Sequence, residues 1–257
     1  MSEPKAIPVR KRLIFALDVP EVEAAWGLVE RLGDAVAFYK VGLELAMTGG
    51  AFELVDRLVA RGSKVFLDLK LFDIPETVGR AVERLAGRGV TFTTVHGNQR
   101  MMEAAARAAH RAQSGVGGAD LKVLAVTVLT SLDQGDLDDL GFQTDVRSLV
   151  LSRARRALEA GCDGVVTSGL EAEAIRNEVG DRLLVVMPGI RPVWNDREPA
   201  SGSDDQKRTV DVAEAFRRGA DYIVVGRPIR DAPDPRAAAE EIQAQIRAER
   251  PDLTPSP

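Results

Sequence analysis

Residues 65–77 read VFLDLKLFDIPET, and the rest of the chain is understood from this stretch outward. Val65, Phe66, Leu67 and Leu69 have the content of a buried strand, yet Asp68 and Lys70 interrupt it at alternate positions, and a period of two sends both to one face. Asp73 follows at the strand's exit. Pro75 suits the first position of a helix, where its fixed φ and missing N–H are tolerated. Burying Asp68 and Lys70 among apolar neighbours carries a large desolvation cost unless they pair, and buried pairs rarely improve on a hydrophobic replacement for stability alone. The pattern is a strand, a charged exit and a helix, with charges placed for function.

The same unit recurs on both sides of it. Upstream, strands are predicted at 13–18 (LIFALD) and 36–41 (VAFYKV), followed by helices at about 21–32 and 51–60. Downstream, strands at 91–96 (TFTTVH), 121–129 (LKVLAVTVL), 164–167 (GVVT), 183–187 (LLVVM) and 222–225 (YIVV) alternate with helices at 78–88, 101–111, 146–160, 171–179, 209–218 and 235–247. Residues 114–119 form a glycine-rich turn, 133–144 a polar, acidic connection, and 194–207 a long loop with almost no apolar residues, of a length that is usually functional or disordered. Eight short apolar strands, each followed by a helix, predict an α/β fold: a single-domain (β/α)8 TIM barrel. The barrel is expected over 13–248, with a mobile arm at 1–12 and a frayed tail at 249–257. An open doubly wound sheet fits less well, because no glycine fingerprint follows the first strand.

Composition narrows the function. The 257 residues are 45% hydrophobic, enough for a sizeable core, with a net charge of −5 and a pI near 5.3. No basic run exceeds Arg10, Lys11 and Arg12, which argues against nucleic acid as a partner. The single cysteine, Cys162, cannot form an internal disulfide, the first residues lack an apolar signal segment, and no apolar run is long enough for a membrane span. A cytoplasmic protein is expected. With two histidines and one cysteine, a Cys/His zinc site is unsupported, and no P-loop, GxGxxG or nucleophile-elbow motif is present. No cofactor and no metal are called for.

In a (β/α)8 barrel, active residues sit at the C-terminal ends of the strands. Polar residues at those ends are Asp18, Lys40, Asp68 with Lys70 and Asp73, His96, Thr130, Arg191, and Gly226 with Arg227. The exits of strands seven (PGIR) and eight (GRP) each pair a glycine, which lets backbone N–H groups approach, with an arginine, which grips oxyanions through two parallel hydrogen bonds. A phosphorylated small molecule is the expected ligand. His96 could act as a base, but strand-end histidines are often merely hydrogen-bonded to backbone; His110, Met101 and Met102 read as surface or packing residues, and Trp194 lies in the long loop.

Seven motifs in order, FALD, YKVG, DLKLFDIPET, VTVLTS, PGIRP, DQKR and IVVGRP, resemble the orotidine 5′-phosphate decarboxylase family over nearly the whole chain. Glu76 stands where the family usually has asparagine, and the loop after Arg191 is longer than in many bacterial members. The resemblance implies an alternating charge network of Lys40, Asp68, Lys70 and Asp73, with Lys70 protonating C6 as carbon dioxide leaves. It further implies a homodimer in which Asp73 and Thr77 reach the partner's site. Asp18 and Lys40 would hold the ribose, Thr130 the base, and Gln206, Gly226, Arg227 and Arg191 the phosphate. Two alternatives are a magnesium-dependent sugar-phosphate decarboxylase or synthase of the same superfamily, and a non-catalytic nucleotide-binding barrel.

Overall fold

The computed structural model describes residues 7–114, 120–192 and 209–249. Eight parallel strands close on themselves in sequence order: β1 (Leu13–Ala16), β2 (Phe38–Gly42), β3 (Lys64–Leu71), β4 (Phe92–His96), β5 (Lys122–Val126), β6 (Gly164–Val166), β7 (Leu184–Met187) and β8 (Tyr222–Val225). β1 completes the ring against β8, with Leu13 beside Ile223 and Phe15 beside Val225. The expected (β/α)8 barrel is therefore observed. Three of the predicted strands, the first, fifth and sixth, overrun at their C-terminal ends: β5 stops at Val126, and Val128 and Leu129 beyond it line the mouth.

The helices bury one stripe each against this ring. In α1 (Val22–Leu32) the buried residues are Ala25, Leu28, Val29 and Leu32, and in α3 (Ala51–Ala60) they are Ala51, Leu54, Val55 and Leu58. Both sets follow the i, i+3, i+4, i+7 spacing of one helical face. Pro75 opens α4 (Pro75–Ala86) as its composition predicts. The remaining outer helices are α5 (Gln99–Gln113), α7 (Val146–Glu159), α8 (Ala172–Val179), α9 (Val212–Arg217) and α11 (Pro235–Glu249).

Three short helices were not foreseen: α2 (Leu43–Ala46), α6 (Gln134–Asp139) and α10 (Arg227–Arg230). α6 falls inside the polar 133–144 connection and is held by a reciprocal cap, Asp133 accepting from the Asp136 N–H while Asp136 accepts from the Asp133 N–H. An aspartate in place of the usual Glu or Gln, with only Leu137 buried, hides the capping pattern from sequence.

The barrel is filled from below. Phe92 lies 5.0 Å from Phe38 and 5.1 Å from Tyr222, ring edge to ring face or tilted, and Phe66, its neighbour in the β3–β4 register, packs edge to face against it. Phe38, Phe92 and Tyr222 are the first residues of their strands, so the aromatic plug occupies the N-terminal half and leaves the C-terminal mouth hollow. Of the twelve residues expected as an arm, 7–12 are packed: Ile7 joins the inner cluster, Val9 the outer core, and Gln243 Nε2 of α11 donates to the Arg10 carbonyl at 3.2 Å. Gly164 in β6 marks a close approach of neighbouring strands, since a Cβ there would lie 2.6 Å from the Leu184 carbonyl oxygen and 2.8 Å from Leu124 Cδ2. Gly164→Ala should lower stability by about 1–3 kcal/mol, read as a fall in the urea midpoint at unchanged m-value.

Among the described residues no helix is long and apolar enough to cross a membrane. Cys162 is buried, and desolvation together with the neighbouring Asp163 pushes its thiol up to about 12, which leaves it inert as a nucleophile.

Candidate active site

A cavity of about 580 Å³ opens at the C-terminal mouth, floored by Phe66 and walled by the ends of the strands. The sequence-predicted Asp18, Lys40, Asp68, Lys70, Thr130, Arg191, Gly226 and Arg227 all line it. Asp73 and Thr77 do not. The whole 194–207 loop, with Trp194 and Gln206, lies outside the described residues. Five basic and three acidic side chains line the cavity, a surplus of two positive charges that suits an anionic ligand.

The strand-two and strand-three exits carry an alternating row of charges. Lys70 Nζ donates to Asp68 Oδ2 at 2.8 Å, Lys40 Nζ stands 3.9 Å from the same oxygen, and Lys40 Nζ also donates to Asp18 Oδ1 at 2.9 Å. The other Asp68 oxygen accepts from Thr94 Oγ1 at 2.7 Å. Gly42 sits beside Asp68 in the β2–β3 register, and a Cβ there would fall 3.0 Å from Lys40 Nζ, so glycine leaves room for the row to pass. Asp68 is only 8% exposed. Burial pushes its carboxyl upward and is the largest single influence, but the charges of Lys40 and Lys70 and the hydrogen bonds from Lys70 and Thr94 together outweigh it, so it is held ionised below the usual carboxylate range.

Lys70 owes its position to a local break in the sheet. The β3–β4 register shifts between Leu67 and Leu71, and Lys70 has φ 49°, the single positive φ outside glycine among the described residues. Its N–H donates to Thr94 Oγ1 at 2.9 Å, so the threonine that orients Asp68 also fixes the Lys70 backbone. Thr94 was missed in the sequence, although Phe92, Thr94 and His96 alternate along β4 and Phe92 faces inward. Glu44, Thr167 and Arg230 also line the cavity without having been foreseen; Glu44 and Arg230 sit on the short helices α2 and α10, which leave no apolar periodicity to read.

Asp73 is exposed at the end of β3, its Oδ1 accepting from the Ile74 N–H at 2.6 Å, and Thr77 lies in the first turn of α4. Phe72 and Ile74 on either side are each 66% exposed. His96 is half-buried against Phe72, 5.0 Å between rings, and does not line the cavity; burial and then the Arg153 charge lower its pKa.

The model of the orotidine 5′-phosphate decarboxylase / HUMPS family matches residues 11–242, almost the whole barrel. The chain belongs to this family. A protein named orotidine 5′-phosphate decarboxylase from Methylococcus capsulatus is 65% identical over 243 residues, covering 95% of each chain. One of the same name from Rhodopseudomonas palustris is 49% identical over 247 residues, covering 96% of this chain and 98% of the relative. The crystal structure of orotidine 5′-phosphate decarboxylase from Lactobacillus acidophilus superposes with a TM-score of 0.80 at 36% identity, covering 92% of this chain and 99% of that one.

Proposed function

We infer that the chain decarboxylates orotidine 5′-phosphate to uridine 5′-phosphate and carbon dioxide in pyrimidine biosynthesis. The Asp68–Lys70 pair, 2.8 Å apart in a cavity with a surplus of positive charge, supports this most directly. The bond between C6 and the carboxylate carbon breaks, the electron pair stays on C6, and Lys70 Nζ supplies the proton that replaces carbon dioxide; water then returns a proton to the amine. An anion at C6 has no simple enolate form, so fixed positive charge beside it is what the step needs. Asp68 orients the ammonium, Asp18 and Lys40 hold the ribose, Thr130 meets the base, and Arg191, Gln206, Gly226 and Arg227 take the phosphate. Loss of orotidine 5′-phosphate in a UV assay tests the reading, and an inert wild-type protein would refute it.

Asp73 and Thr77 complete the partner's site in a homodimer. Both lie outside the cavity of their own chain, and the exposed Phe72 and Ile74 beside Asp73 give that edge the apolar surface an interface uses. We place the enzyme in the cytoplasm, with neither nucleic acid nor membrane as a partner.

The magnesium-dependent alternative is not favoured. It would need Asp68 as a ligand, yet both Asp68 oxygens are taken by Lys70, Lys40 and Thr94. Among the described residues no three His, Cys, Asp or Glu side chains cluster as a metal site. Turnover should therefore survive EDTA unchanged; complete loss, restored by magnesium, would overturn the cofactor-free reading.

A further inference from the structure

Arg230 forms part of the cavity wall between the first and eighth strands, at the end of α10. Its Nη1 donates to the main-chain carbonyl of Asp18 at 2.6 Å, 212 residues away. On its other side, Nε and Nη2 grip both carboxylate oxygens of Asp231 at 2.6 and 3.0 Å. Two parallel bonds of this kind fix a guanidinium in one plane. Arg230 is thus held by the residue that caps its own helix and reaches with its other nitrogen to the loop after β1.

That loop carries Asp18, whose carboxylate holds Lys40. The same helix begins with Gly226 and Arg227, and a Cβ on Gly226 would lie 3.5 Å from Asp18 Oδ2, so the two segments are already in close contact. From the Asp18 main chain that Arg230 holds, the row continues through the Asp18 carboxylate to Lys40 at 2.9 Å, from Lys40 to Asp68 at 3.9 Å and from Asp68 to Lys70 at 2.8 Å.

We propose that Arg230 is a positioning residue that ties the phosphate-binding turn at 226–230 to the Asp18–Lys40 pair, so that occupation of the phosphate end steadies the charge row at the reacting carbon. This rests on the decarboxylase reading. Binding energy from a remote part of a substrate raises the chemical rate only if something conveys it to the reacting centre. A rigid guanidinium bridging the two segments does so, and a lysine cannot, since an ammonium lacks the planar fork.

The test compares orotidine 5′-phosphate with orotidine, which lacks the phosphate, on wild type, Arg230→Met, Arg230→Lys and Asp231→Asn. Arg230→Met and Arg230→Lys should lose kcat on the phosphorylated substrate by about 10–100-fold, the size of effect that a small misplacement produces. Orotidine, followed at high enzyme concentration, should lose several-fold less than the phosphorylated substrate, so that the ratio of the two rates falls. Asp231→Asn keeps the Arg230 charge but loosens its grip, and should shift the same ratio in the same direction, with thermal midpoints certifying each fold.

Equal losses on both substrates would overturn the proposal, because Arg230 would then only shape the Asp18 loop. A rise in KM alone, absent in Asp231→Asn, would overturn it in favour of a direct phosphate ligand. A wild type inert towards orotidine 5′-phosphate would refute the decarboxylase reading and this inference with it; an active wild type with unaffected variants would refute this inference alone.

Discussion

Lys70→Ala should lower kcat on orotidine 5′-phosphate by at least about 10⁴-fold while leaving KM within a small factor of wild type. A positioned general acid contributes about 10²–10⁴-fold and a preorganised charge at the developing anion a further 10²–10³, and on the reading proposed above Lys70 is assigned both. Arg191, Gly226 and Arg227, to which we assign the phosphate, line the cavity from beyond β7 and β8 and are untouched by the change, so ground-state binding should persist. Steady-state kinetics together with binding of uridine 5′-phosphate separates these effects. Equal activity in wild type and variant would remove Lys70 as the proton donor. Lys70→Arg should recover little, because a guanidinium keeps its proton and its bulk displaces the donor from C6.

The second large effect is recovery rather than loss. Asp73→Ala and Lys70→Ala chains should each be inactive alone, and an equimolar mixture allowed to exchange subunits should regain about a quarter of the wild-type activity. With random pairing half of the dimers are mixed, and in a two-fold dimer each mixed pair carries one site with both residues intact. The other site of that pair lacks both. Persistent inactivity after exchange has been verified by mass would mean that Asp73 serves its own chain's cavity. The geometry speaks for the former outcome: Asp73 is exposed, bonded to the Ile74 N–H, and absent from the wall that holds Asp68 and Lys70.

Much of the site was legible because its chemistry interrupts a strong pattern. Asp68 and Lys70 stand out where alternation and apolar content predict a buried strand, and the repeat of strand and helix assigns their end of β3 to the mouth. The β3 irregularity was not legible. Nothing in VFLDLKL distinguishes a regular strand from one whose register shifts between Leu67 and Leu71, since a lysine with positive φ is chosen by its surroundings and not by its own preference. Thr94 was hidden for a related reason: a threonine in a strand is ordinary, and only the approach of β3 gives its hydroxyl two tasks at once. Arg230 and Glu44 escaped because α10 and α2, four residues each, are too short to show a period. Residues 7–12 were read as an arm because they are polar and basic, although Ile7 and Val9 are enough to seat them under the barrel.

The left-handed backbone at Lys70 has an evolutionary consequence. For any side chain but glycine this conformation costs about 1–2 kcal/mol, and glycine adopts it freely. A mutation to glycine at position 70 would therefore relieve the backbone while ending the chemistry. At this one codon the backbone and the charge row pull in opposite directions: glycine would free the main chain but leave the buried Asp68 carboxylate to Lys40 at 3.9 Å and to Thr94, so the pair as well as the reaction holds the lysine in place.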